Sequence, residues 1–141
     1  MSSAPPRDGT AVAVGDSGTL IARDSDGSWS TQAGPTANHL HAVSISDAGT
    51  FAVGDHGIVL RQDGDSWLKE AEAPGEFMYG VYGKDTDVVA VGWAGRAIRR
   101  RSDATWVNEI SGTVNVLEAV TAGPDGAFWA LGHKGTVLER P

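Results

Sequence analysis

The chain has 141 residues, no cysteine, a net charge of −7 and only 21 % charged residues. This excludes disulfides, thiol catalysis and thiolate metal sites, and it argues against nucleic acid or anionic membrane as partners, since both would repel the chain. Nineteen glycines against so few charged residues fit an all-β protein with many tight turns, and no apolar run approaches the ~20 residues of a membrane span.

Met1-Ser2-Ser3-Ala4-Pro5-Pro6 has neither the basic nor the apolar stretch of a secretion signal. As written the chain reads as cytoplasmic, or as a fragment of a secreted or surface protein. Pro5 and Pro6 fall where a first strand would run, and proline removes a ladder donor. The first strand expected is therefore Val12-Ala13-Val14, followed by the turn Asp16-Ser17, the strand Thr19-Leu20-Ile21 and a last strand opening at Trp29. The next stretch predicts four strands, Leu40 to Ile45, Thr50 to Val53, Ile58 to Arg61 and Ser66 to Glu70. Within it, Gly54-Asp55-His56-Gly57 reads as a two-residue hairpin whose aspartate tolerates φ > 0. The pattern returns with Phe77 to Tyr82, Val89 to Val91, Arg96 to Ile98 and a strand at Trp106. It returns again with Val116 to Val120, Trp129 to Leu131 and Thr136 to Leu138, and Arg140-Pro141 arrives before a fourth strand.

The recurring element is a small apolar phrase ending in glycine at Gly15, Gly54, Gly92 and Gly132, spaced by 39, 38 and 40 residues. Seven residues before each stands an aspartate: Asp8, Asp47, Asp85 and Asp125. A fixed period near 40 with strand content marks a repeat architecture, and the expected fold is an all-β propeller arc of about four antiparallel blades. The whole chain, 1–141, is one domain, with repeats at about 8–37, 38–75, 76–114 and a partial one at 115–141. The expected strand count is three, four, four and three. Such an arc leaves apolar faces open, and homodimerisation would close it. An eight-bladed ring is favoured over a seven-bladed one, although fourteen strands doubled would make 28. Val12, Phe128, Trp129, Val137 and Leu138 are the expected assembly seam.

The pattern Ala-Val-Gly-Asp-x-Gly, an aliphatic strand, then Asp-Gly-x-Ser-Trp, resembles bacterial BNR/Asp-box propeller repeats. That group includes photosystem II assembly-factor-like proteins. The resemblance runs from about Asp8 to Arg140 and implies the fold; the same repeat serves sialidases, assembly factors and structural modules. The Asp-box is shortened at Asp26-Gly27-Ser28-Trp29 and Asp63-Gly64-Asp65-Ser66-Trp67, and it has no glycine at Ser102-Asp103-Ala104-Thr105-Trp106. The resemblance implies that this motif stabilises a turn, with no catalytic role.

Candidate ligand-binding residues sit in the turns between second and third strands: Asp16, Asp55, His56, Trp93 and His133. Trp93 stands out because an aromatic replaces a turn aspartate. His39 and His41 at i, i+2 lack a third ligand fixed by spacing, so no metal is assigned. The recurrent aspartates repeat too uniformly for acid–base chemistry and read as turn caps. Arg99-Arg100-Arg101 alternates faces on a strand and reads as a solvated edge pairing with acids of a neighbouring blade. Tyr79 and Tyr82 carry no assigned role, and no hydrolase motif is present. The expected function is a non-enzymatic scaffold or interaction module that pairs with itself, without cofactor, nucleic acid or membrane. A lectin-like module binding sugar or another small ligand is the alternative, and a fragment of an Asp-box glycoside hydrolase is a weaker one.

Overall fold

A computed structural model of the chain describes residues 2–3, by their backbone pairing, and residues 9–141; Asp8, Pro5 and Pro6 lie outside the described residues. Among the described residues, fifteen strands form four antiparallel sheets in strict chain order. Sheet 1 holds β1 (Ser2–Ser3), β2 (Ala11–Val14), β3 (Leu20–Arg23) and β4 (Trp29–Thr31). Sheet 2 holds β5 (Leu40–Ser46), β6 (Gly49–Gly54), β7 (Val59–Asp63) and β8 (Ser66–Ala71). Sheet 3 holds β9 (Met78–Lys84), β10 (Asp87–Gly92), β11 (Ala97–Arg100) and β12 (Trp106–Glu109), and sheet 4 has β13 (Leu117–Ala122), β14 (Phe128–Gly132) and β15 (Val137–Arg140). Local sequence explains the strands of four to seven residues, runs rich in apolar, β-branched or aromatic side chains broken by Gly, Asp and Asn; β1 and β4 are shorter, at two and three residues.

Sheet 1 corrects the expected strand count. Ser2 pairs with Val14 and Ser3 with Ala13, so the first repeat has a first strand, and the described total is fifteen rather than fourteen. The pairing residues precede the prolines and keep their amide donors, so the proline rule does not reach them. The arithmetic that made 28 strands from two chains no longer holds.

The recurring glycine has a spatial reason. Gly15, Gly92 and Gly132 are in extended backbone, with φ from −160° to −173°, which any residue can adopt. A Cβ at Gly54, Gly92 or Gly132, however, would overlap the carbonyl oxygen of His39, Phe77 or Val116, the residue just before the first strand of the same repeat. After each of these glycines comes a two-residue turn in which both central residues have positive φ, the type I′ geometry of tight hairpins. Those residues are Ser17-Gly18, His56-Gly57, Ala94-Gly95 and Lys134-Gly135, and the non-glycine member has φ between 54° and 60° in every case. The hairpin is therefore shifted by one from expectation: Asp55 precedes the positive-φ pair, and His56 carries the left-handed conformation.

Strand alternation sorts each sheet into two faces. We call the face toward the following sheet leading and the one toward the preceding sheet trailing. Three hydrophobic clusters fill the three seams. Val12, Val14 and Leu20 of sheet 1 meet Leu40, Val43, Ala52, Leu60 and Trp67 of sheet 2. Phe51, Val53 and Val59 meet Met78, Val81, Val88, Ala90 and Ile98. Val89 and Val91, with Ala97 partly buried, meet Leu117, Val120, Phe128 and Leu138. First strands of successive sheets lie against one another, joined by bonds such as Gly83 N donating to Ser44 Oγ at 3.0 Å.

Candidate interaction surfaces

Each complete seam carries the same polar clasp. Three residues after the tryptophan that opens the fourth strand, on that strand or just past its end, stands a Gln or Glu. That group accepts from the indole of the following sheet. Trp67 Nε1 donates to Gln32 Oε1 at 2.8 Å, joined by Gln62 Nε2 at 2.9 Å. One seam on, Trp106 Nε1 donates to Glu70 Oε1 at 3.0 Å. Arg100 grips both oxygens of Glu70 at 2.8 Å, and Arg61 adds a third guanidinium bond at 2.8 Å. Burial works against ionised Glu70, but hydrogen bonds from Arg100 and Trp106 and the charge of Arg100 outweigh it and hold its pKa below the ordinary glutamate value. In turn, its bond to Glu70 raises the pKa of Arg100 further, and the guanidinium lies 5.0 Å over the Phe51 ring. Arg99 and Arg100 are thus half-buried on the inner strand β11, not a solvated edge. Arg100 does reach an acid of the neighbouring sheet, and Arg99 pairs with Glu109 of its own at 3.1 Å.

Among the described residues, the leading face of sheet 4 and the trailing face of sheet 1 have no sheet packed against them. On sheet 4 the leading positions are Trp129, Leu131 and Val137. Leu131 and Val137 are 45 % and 58 % exposed, whereas their equivalents Val53 and Val59 are fully buried. On sheet 1, Trp29 stands opposite Arg23 in the ladder as Trp106 stands opposite Arg100, yet it is 51 % exposed. The expected assembly seam therefore divides. Val12, Phe128 and Leu138 are packed inside the chain's own seams, while Trp129 and Val137 belong to the open face. Phe128 and Trp129 are adjacent on one strand and cannot share a face. Leu131, Trp29 and Arg23 complete the open set, and the Trp-x-x-Gln/Glu spacing of residues 29–32, 67–70 and 106–109 was the sequence signal for the clasp.

The turn residues gather in two groups. His41 Nε2 lies 2.7 Å from Asp55 Oδ1, and His133 Nε2 lies 2.7 Å from Glu118 Oε1. Tyr79 stands on the equivalent first-strand position, its ring 5.2 Å from that of His41. Burial raises its pKa, with further contributions from the charges of Asp55 and Glu118. Trp93, half-exposed, meets Phe77 edge-on at 6.3 Å, and His56 approaches the same ring at 6.4 Å. Asp16 stands apart, almost fully exposed, 3.5 Å from His39 Nδ1, which also accepts the Ser17 amide. Among the described residues, no three His, Asp or Glu side chains converge as metal ligands would. The recurrent aspartates differ in detail: Asp125 Oδ1 accepts the Ala127 amide as a turn cap, and Asp85 takes φ 54° itself.

Among the described residues, no helix is long and apolar enough to cross a membrane. Compared with models of known protein families and with curated protein sequences, the chain matches none.

Proposed function

We propose that the four sheets are blades of a β-propeller arc, and that the chain is a non-enzymatic interaction module which associates head to tail with a second copy. The observation that carries this reading is the exposure of Leu131, whose equivalents Val14, Val53 and Val91 are all buried, and of Val137, whose equivalents Leu20 and Val59 are buried. Leaving several such side chains in water forgoes roughly 1.5–3 kcal/mol each. The trailing face of sheet 1, with Trp29 and Arg23, has the residue types that meet a leading face elsewhere in the chain. Leading face on trailing face, twice, closes two four-bladed arcs into an eight-bladed ring with two-fold symmetry. Light scattering behind a sizing column tests it. The expected mass is twice the 14.6 kDa of one chain, and Leu131→Asp should return it to one. A monomer at all concentrations would overturn the reading.

The aromatic row Trp93–Phe77–His56 favours a second reading, a turn face that binds sugar or another small ligand by ring stacking. A sugar-induced rise in melting temperature that is lost in Trp93→Ala would support it, and no rise across a sugar panel would dismiss it.

A further inference from the structure

The seam between sheets 3 and 4 contains a cavity of about 200 Å³ lined by, among others, Val89, Glu109, Ile110, Leu138 and Arg140. Every lining group has an equivalent in the two preceding seams, and there the space is filled. Val89 corresponds to Phe51, whose ring lies 6.0 Å from Trp106. Glu109 corresponds to Gln32 and Glu70, the two indole acceptors. Arg140 corresponds to Gln62 and Arg100, which stand opposite Trp67 and Trp106 in their ladders, and its Nε already reaches Glu109 Oε1 at 2.8 Å. Ile110 is 99 % exposed, although its equivalent Ala71 packs against the filled second seam. Beside the cavity, β15 is the rim of a three-stranded sheet, with one side of its backbone open to a further ladder among the described residues.

We propose that this slot is a docking site for an extended tryptophan-bearing segment of a partner polypeptide. The segment adds antiparallel to β15, its tryptophan opposite Arg140 with the indole N–H donating to Glu109. Main-chain bonds along the edge supply affinity and the indole supplies selectivity. A second copy of this chain is the wrong source. Its three candidate strands β4, β8 and β12 are already paired within their own sheets, and each could be donated only by unzipping a sheet it completes. The slot lies on the trailing face of sheet 4, opposite Leu131, so this inference stands or falls separately from head-to-tail association.

The probe is a synthetic peptide copying residues 102–110, titrated into the full 141-residue chain carrying Leu131→Asp and followed by amide NMR. The expected result is saturable binding with shifts concentrated on Val137–Arg140 and on Glu109. Replacing the peptide's tryptophan with alanine should abolish it. Glu109→Ala should weaken binding about tenfold, the loss of one hydrogen bond to a charged group, whereas Glu109→Gln should retain it, as Gln32 does in the first seam. The proposal is overturned by no shifts at about 1 mM peptide, far weaker than useful peptide recognition, or by equal binding of the alanine peptide. It is also overturned if β15 amides are already protected from exchange in the unmixed chain in a concentration-dependent way, which would make a second copy the occupant.

Discussion

Ala104 shows how far a single residue can depart from the pattern without the turn changing. It adopts φ 69° where the equivalent turn of the first repeat has Gly27 at φ 93°, and the turn closes the same way, Ala104 N donating to Arg101 O and Thr105 N to Asp103 Oδ1. The Thr105 hydroxyl also donates to Asp103 Oδ1, and that bond first, then the amide's, pulls the pKa of Asp103 below its usual range. The missing glycine in the sequence motif is therefore a missing residue type, not a missing conformation. Holding an L-residue in that region costs roughly 1–2 kcal/mol, partly offset by a stiffer unfolded chain. Ala104→Gly should accordingly raise unfolding free energy in urea by roughly 0.5–1 kcal/mol; no gain would mean that the strain is relieved elsewhere. The sequence could not display this, because positive φ at Ala, Ser17 or Lys134 leaves no mark in residue type as it does at glycine.

At the scale of the element, legibility was uneven for a physical reason. Strands and turns were readable because alternation and Gly/Asp punctuation are local properties. Their faces were not: which side of β14 meets a neighbour depends on the order of sheets, so Phe128 and Trp129 were assigned together although they point apart. The ladder partner of β2 was missed since two residues, Ser2–Ser3, are too short a run to read. The clasp was missed because a Glu three residues after a Trp is ordinary for an exposed strand. Yet Glu70 is nine-tenths buried and bonded to two arginines and an indole. Its depressed folded pKa lies below the ordinary value near 4.5, so its stabilisation is complete above that value and is lost as the pH falls through the folded one. Glu70→Gln keeps an acceptor for Trp106 but leaves Arg100 without its counter-charge. It should cost roughly 3 kcal/mol at pH 7, and the gap from the wild type should narrow at pH 3. Urea unfolding at both pH values checks this; a gap independent of pH would remove the ionised carboxylate from the explanation.

For the molecule as a whole, the sheets behave as a linear array in which each is stabilised chiefly by its neighbours. End sheets are then the weak ones, and association that covers them is coupled to folding. In the head-to-tail reading, the melting temperature rises with chain concentration, and Leu131→Asp flattens that dependence along with the mass. The open edge of β15 has another side. Unpaired strands invite stacking of like on like, the route to fibres, and native sheets guard them with brevity, charge and proline. Four residues long, β15 gives only Val137 and Leu138 before Glu139 and Arg140, and Pro141 follows without an amide donor. A rim built this way can take on one complementary strand and still resist becoming a template for an endless series of its own kind.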